Sequence, residues 1–480
     1  MELNKKYNMF AMNKVRIVFR NYVRVRKIHT SFIFAKENLS DQHVDEILAS
    51  DREYNSLLTH YFHLGEAHNC LVIQPYVKWG PRKLSISPEE QLEEAVALIK
   101  TLPLWKVNDT VSVPLDSLEK KSLFKSGSME KLRKLIHNNR DITAIFINTS
   151  NLRKVTTTLL QESFGLPVLD RYRIVMQILK THAISKHAKL QVALAELYYV
   201  QRKAQKDTLF STSDPDSLKL VFQEREKKLK NAIKEVRNQR TLLRSKRKKE
   251  EYPIVAVVGY TNAGKTALIK ALTGESSLQP KNQLFATLDV TLHSGLLPSG
   301  LQVLYVDTVG FLSDIPTNLI ECFVATLEDV TFADVVLLVE DLSSSCFEYK
   351  RNHVVTTLKE LGVQTGNENL LDKVISVGNK CDLVSKDSSE HGLDILVSAK
   401  TGLGLDSLRR YLEECILKAT SRQVITIKVL SGGDEFRWLR KNATVTAEEP
   451  DEGNTQFIKL KVIITKSSFE KFKHYFIYQK

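Results

Sequence analysis

Residues Gly259-Tyr260-Thr261-Asn262-Ala263-Gly264-Lys265-Thr266 have the G-x-x-x-x-G-K-[ST] spacing of a phosphate-binding loop. Glycines at both ends let the backbone curl around an anion with its N–H groups pointing inward. The spacing predicts a cradle for the phosphates of a nucleotide. Lys265 would reach the β- and γ-phosphates, and the Thr266 hydroxyl would ligate Mg²⁺. Two weaker patterns follow downstream. Thr287, in Phe285-Ala-Thr-Leu-Asp289, can close on the metal when a γ-phosphate is present. Asp307, in Asp307-Thr-Val-Gly310, can hold the metal through water, and the Gly310 N–H can bond the γ-phosphate.

Asn379-Lys380-Cys381-Asp382 selects the base. The Asp382 carboxylate can accept from both the ring N–H and the exocyclic amine of guanine. Adenine would leave that carboxylate unpaired, so such a site discriminates by about 10⁴ or more. Asn379 would support the loop, and the Lys380 stem would cover the ring. In Ser398-Ala399-Lys400, the Ala399 N–H would meet the base oxygen. A lone P-loop or DxxG is weakly specific. Four pieces in this order, each after a strand-like run, point to GTP and GDP rather than to ATP. An ATPase or helicase is disfavoured by Asn379–Asp382.

The hydrolytic step is less complete. Where Ras-like enzymes carry a water-positioning glutamine after DxxG, this chain has Phe311. Asn262 is a candidate to help hold a potassium ion in the place of an arginine finger; the competing role is simple loop stabilisation. A supplied arginine is worth about 10³–10⁵ in rate, or roughly 4–7 kcal/mol of barrier. Slow basal turnover raised by a partner is expected. The candidate catalytic set is Lys265, Thr287, Gly310 and Asn262.

The elements that position these groups are legible as strand-loop-helix alternation. Ile254–Val258 reads as a buried strand feeding the loop, and Lys265–Leu272 as the helix whose N-terminus faces the anion. Val290–Leu297, Leu301–Val306, Val374–Gly378 and Ile395–Val397 read as further strands. The fold class is α/β. A Ras-like P-loop domain at 251–420 is preceded by a small α/β domain at 50–168 and a long antiparallel helical hairpin at 169–250. A small α+β domain at 421–480 follows. In the hairpin, Arg171–Lys206 reads as one helix and Leu218–Lys249 as its partner. Phe222, Leu229, Val236 and Leu243 recur at heptad spacing, with Ile233 beside them.

The chain has 480 residues and a net charge of +13, which suits an anionic partner. The second hairpin helix ends in Arg244, Lys246, Arg247, Lys248 and Lys249, as an RNA contact or as a solvated face. Five scattered cysteines without a CxxC pair argue against a disulfide framework and a structural zinc site. From Met1 to Lys27 there are eight Lys/Arg and one acid, Glu2. On a helix, Arg16, Arg20, Arg24 and Lys27 share one face. This is the pattern of a mitochondrial transit peptide over 1–36; a basic nucleic-acid arm is the competing reading, which would leave the protein cytoplasmic.

Asp307-Thr-Val-Gly-Phe-Leu-Ser-Asp-Ile-Pro316 and Ala325-Thr-Leu-Glu-Asp-Val330 resemble the HflX family of GTPases, in its mitochondrial branch. Leu169-Asp-Arg171 and Lys189–Leu197 are similar to the start of that family's helical hairpin. The resemblance covers about residues 115–470. It implies a large-ribosomal-subunit partner and a role in splitting, recycling or assembly of ribosomes. Two departures are visible: Gln201–Asp216 lacks the glycine-rich hairpin tip, and Ser126-Gly127-Ser128 keeps only part of a glycine segment. The rival function is an RNA-binding or assembly module whose nucleotide scarcely turns over.

Overall fold

The computed structural model describes residues 41–49, 54–58, 67–79, 86–116, 123–204, 215–249, 252–281, 283–287, 290–313, 327, 329–384, 392–451, 453–454 and 456–478. The region expected to be a transit peptide and most of the hairpin tip lie outside these residues. The chain divides into two compact units, Met1–His43 and Val44–Lys480. No helix among the described residues is long and apolar enough to cross a membrane.

The first sheet has four parallel strands in the order β2-β1-β3-β4: β1 Asn69–Val77, β2 Lys106–Leu115, β3 Ala144–Ile147 and β4 Val168–Asp170. Helix α1 Asp41–Ala49 precedes it in the chain, and helices α2 Pro88–Thr101, α3 Ser126–Asn138 and α4 Lys154–Phe164 lie around it. Ser87 opens α2 with a capping box: its hydroxyl accepts from Glu90 N, and the Glu90 carboxylate accepts from Ser87 N.

α5 Arg171–His182 begins directly after β4, with Asp170 as its cap accepting from Arg173 N at 3.0 Å. The expected single helix Arg171–Lys206 is broken. Its second part is α6 Lys186–Ala204. Ala183 ends α5 in extended backbone, and Ser185 starts α6 by accepting from Ala188 N at 3.1 Å. A serine placed to bond a backbone amide competes with helix continuation, and this signal marks the break. The hairpin therefore consists of α6 and α7 Pro215–Lys249. Phe222, Leu229 and Val236 are buried as the heptad predicts, and Tyr198 donates to Glu226 across the pair at 3.1 Å. Nothing is described of the side chains of Arg244–Lys249 or Leu243.

The second sheet has six strands in the order β10-β9-β8-β5-β7-β6. They are β5 Ile254–Gly259, β6 Thr291–Leu296, β7 Gln302–Asp307, β8 Val335–Asp341, β9 Val374–Asn379 and β10 Ile395–Leu396. Only β6 runs antiparallel. β5, β7, β8 and β9 are apolar and largely buried, as strands covered on both faces must be. The helices are α8 Lys265–Thr273, α9 Phe347–Thr365 and α10 Leu405–Ala419. The carboxyl ends of β5, β7 and β9 lead into the candidate loops, the usual ligand edge of such a sheet.

The last sheet is antiparallel, β11 Arg422–Leu430, β13 Phe457–Thr465 and β12 Thr444–Pro450, with α11 Asp434–Asn442 and α12 Lys466–Phe476. Leu460, Val462 and Ile464 face its own core, while Ile463 packs in the core of the six-stranded sheet.

Candidate nucleotide site

β5 delivers the chain to Gly259, whose φ is +153° and whose added Cβ would lie 2.3 Å from the Val339 carbonyl oxygen. No side chain fits there. Asn262 follows with φ +62°, a left-handed conformation that asparagine tolerates, and its side chain is at the surface. That conformation is the structural counterpart of the loop-stabilising role. Gly264, at φ +93°, precedes α8.

Lys265 is buried. Its Nζ donates to the Gly259 and Tyr260 carbonyl oxygens at 3.2 and 3.0 Å. Burial pushes its ammonium down to about 8, partly offset by the neighbouring Asp307 carboxylate. At Asp307, burial raises the carboxyl, while the Thr266 hydroxyl and the Lys265 charge oppose the rise.

Three of the expected metal-site oxygens meet. Thr266 donates to Asp307 Oδ2 at 2.6 Å, Thr287 Oγ1 lies 3.1 Å from Thr266 Oγ1, and Thr287 donates to Asp307 Oδ2 at 3.3 Å. The other carboxylate oxygen, Asp307 Oδ1, is buried with no hydrogen-bond partner among the described residues. An orphaned buried carboxylate oxygen beside two hydroxyls is an all-oxygen donor set that fits a hard divalent cation such as Mg²⁺. Leu288 and Asp289 lie outside the described residues.

Gly310 is pressed against the loop. A Cβ there would stand 2.7 Å from Thr261 Cγ2 and 3.1 Å from Lys265 Nζ. Phe311 then pairs with the loop as a strand would: its N–H donates to Gly259 O at 3.1 Å and its carbonyl accepts from Thr261 N at 2.8 Å. The phenyl ring is buried. This accounts for an apolar side chain where a glutamine stands elsewhere.

On the base side, Asn379 is buried and staples two loops. Its Nδ2 donates to Ala263 O at 2.9 Å, and its Oδ1 accepts from Ala399 N at 3.0 Å. The Ala399 amide, expected to meet a base oxygen, thus serves the staple in this structure. A Cβ at Gly264 would sit 2.3 Å from Asn379 Nδ2, so this glycine is needed for the close approach. Lys380 takes φ +62° and its Nζ bonds Asp341 Oδ2 at 2.6 Å, which fixes its stem. Asp382 is exposed within the short 3₁₀ turn Cys381–Leu383. Ser398 is fully buried, its hydroxyl accepting from Thr401 N at 3.1 Å, and Lys400 is exposed.

Residues outside the expected set complete the surroundings. Asp341 is one. Glu94 and Arg171, from the first α/β layer, form an ion pair in which Arg171 is buried and Glu94 half-buried, and Ser313 and Tyr260 join it. The one available signal was Leu169-Asp-Arg171, where Asp170 caps α5 and Arg171 reaches the ion pair.

This strand order with these loops at its carboxyl edge defines a P-loop GTPase. Residues 254–380 match the family model described as 50S ribosome-binding GTPase, and residues 89–179 match that of the GTP-binding GTPase N-terminal region. The chain is 40% identical over 428 residues to GTP-binding protein 6 of Homo sapiens, covering 86% of this chain and 82% of that protein. It is 32% identical over 408 residues to GTPase HflX of Caldanaerobacter subterraneus, covering 82% and 92%. A solved GTP-binding protein of Sulfolobus solfataricus in complex with GDP aligns at 22% identity and TM-score 0.39, over 73% of this chain and 99% of that one. The chain belongs to the HflX family of GTP-binding proteins.

Proposed function

We propose that this protein binds GTP and hydrolyses it slowly to GDP, acting as a switch on the large subunit of the mitochondrial ribosome during recycling, splitting or assembly. The meeting of Thr266, Thr287 and Asp307 carries the nucleotide half of this reading. Gly259–Thr266 would hold the phosphates and Asn379–Asp382 the guanine, with Ser398, Ala399 and Lys400 closing the base side. Thr266, Thr287 and Asp307 would hold Mg²⁺, the last through water. The metal would supply charge neutralisation at the phosphates. Lys265 would place its ammonium on the β- and γ-phosphates, and the Gly310 N–H would donate to the γ-phosphate. Water then forms a bond to the γ-phosphorus as the bond to the β-phosphate oxygen breaks, leaving GDP and phosphate.

The Phe311 side chain can neither donate nor accept, and its backbone is engaged by the loop. This supports slow basal turnover raised by a partner or by a potassium ion near Asn262. It also favours a second reading, a nucleotide-dependent RNA-binding module with little turnover. The ribosomal partner is supported by the match to the 50S ribosome-binding GTPase family, by the +13 charge and by the exposed cations Lys227, Lys228, Lys234 and Arg237 on α7. The basic N-terminus supports the mitochondrial assignment.

GTP turnover measured with and without mitochondrial large subunits, in potassium and then in sodium, tests both readings. A rise of at least tenfold with subunits supports the switch. Fast, partner-independent turnover refutes it, and no turnover under any condition leaves the binding module.

A further inference from the structure

The residue after Gly259 does something the phosphate-binding pattern does not ask of it. The Tyr260 side chain is buried, and its hydroxyl joins a polar knot with Glu94 and Ser313. It donates to Glu94 Oε2 at 2.7 Å and accepts from Ser313 N at 2.9 Å. Its only proton is spent on Glu94, so the Ser313 hydroxyl, at 2.8 Å, must also donate to it. Glu94 is paired with Arg171. Arg171 donates in turn to the Ser313 carbonyl at 3.1 Å and to Asn148 Oδ1 at 2.9 Å. All three polar backbone and side-chain groups of Ser313 are thereby held. Burial, and then the Glu94 charge, push the Tyr260 phenol well up, so it stays a neutral donor.

The same two helices grip the other candidate switch. Near the end of α2, Thr101 Oγ1 accepts from Leu284 N at 3.3 Å. At the end of α5, the neutral His182 ring donates from Nδ1 to Phe285 O at 3.0 Å. Phe285 is buried with φ +52°, a strained conformation for a bulky residue that surrounding contacts must hold. Thr287 follows two residues later. Thus Glu94 and Thr101 on α2, and Arg171 and His182 on α5, bracket the segment after Gly310 and the segment before Thr287.

We propose that Tyr260, Glu94 and Arg171 are positioning residues that hold Phe311–Ser313, just after Gly310, in their γ-phosphate-recognising place, so that α2 and α5 respond to GTP but not to GDP. This rests on the GTP-binding reading above. The coupling is reciprocal: whatever steadies the segment in the presence of a γ-phosphate also steadies the two helices, by the same free energy. Glu94, Arg171 and Ser313 stand outside the phosphate cradle and bear on the segment after Gly310, so losing the Glu94 charge falls on GTP recognition and spares GDP. Simple packing between the two layers would instead weaken both nucleotides alike, through stability.

Tyr260→Phe keeps the ring and deletes the hydroxyl; Glu94→Gln keeps the shape and removes the charge. The full chain is titrated with fluorescent GDP and with a non-hydrolysable GTP analogue. Hydrogen exchange over 94–101 and 171–182 is then compared between the two nucleotides. In the wild type, the analogue slows exchange in both helices relative to GDP. In either variant that difference disappears and affinity for the analogue falls about tenfold, the loss expected for hydrogen bonds to a charged group; in Glu94→Gln, which lies outside the phosphate cradle, GDP affinity stays within about twofold. An unchanged exchange difference in both variants overturns the proposal. So does an equal loss of GDP and analogue binding in Glu94→Gln. A wild type that binds neither nucleotide overturns the GTP reading itself, a result distinct from both.

Discussion

Asn379→Ala tests the site where the structure is most explicit. The wild-type amide makes two hydrogen bonds to backbone groups of different loops, Ala263 O and Ala399 N. Each such bond contributes about 0.5–1.5 kcal/mol, and each partner left buried and unsatisfied costs about 1–3 kcal/mol. Gly264 lies against the Asn379 nitrogen, so the truncated side chain leaves a gap that the neighbouring backbone can close only by moving the phosphate loop. About 2–3 kcal/mol is therefore expected to be lost from the assembled site, which corresponds to GDP affinity about 30- to 150-fold weaker. Titration with a fluorescent GDP analogue reads this directly, and thermal unfolding without nucleotide shows how much of the loss is general stability. Asn379→Asp sharpens the test. It keeps an acceptor for Ala399 N–H but turns a carboxylate oxygen on the Ala263 carbonyl, and it should be at least as damaging as alanine. Affinity within threefold of wild type for both variants would refute the staple.

Two further outcomes follow from single residues. Asp382→Asn replaces a carboxylate with a group that can donate, and preference should move from guanine towards xanthine nucleotides by about 10²-fold or more; unchanged GTP preference in competition binding refutes the base assignment. Lys265 supplies a pH dependence. Its ammonium is depressed to about 8 in the nucleotide-free fold, and phosphate charge restores it, so binding takes up a proton above that pH. GDP affinity should fall as pH rises through about 8, by at most about tenfold per unit, with Lys265→Met showing a flat profile. The sign for stability is opposite. Between about 8 and the ordinary lysine value the unfolded chain binds more protons, so nucleotide-free stability rises with pH in that window.

Groups that act through their own short segment were readable in the sequence. Gly259–Thr266, Asp307–Gly310 and Asn379–Asp382 each sit at the end of an apolar run, and the parallel sheet places those ends together. The heptad through Phe222, Leu229 and Val236 was equally plain, because burial of one helix face imposes its own period. Ser185 was harder to see. One polar residue in an otherwise helical stretch gives little local signal, yet its hydroxyl starts a new helix. Tyr260, Glu94, Arg171 and Ser313 could not have been assembled by spacing. Glu94 is 166 residues from Tyr260, and Arg171 is 142 from Ser313. Only the packing of α2 and α5 on the loop edge brings them together. The Ala399 amide shows the reverse case: its position was legible, but its bonding partner depends on how Asn379 is rotated in the core.

Ile463 gives the last strand pair a meaning beyond its own small sheet. Its neighbours Val462 and Ile464 face inward on the appended layer, and it alone turns the other way, into the group that contains Val397, Leu412 and Ile416. Two apolar interiors are thus riveted through one backbone stretch. Melting is then expected to be a shared event across residues 251–480, with no separate low-temperature transition for the tail. A chain ending at Thr420 would carry an open seam along α10, prone to self-association even with every nucleotide-binding residue intact.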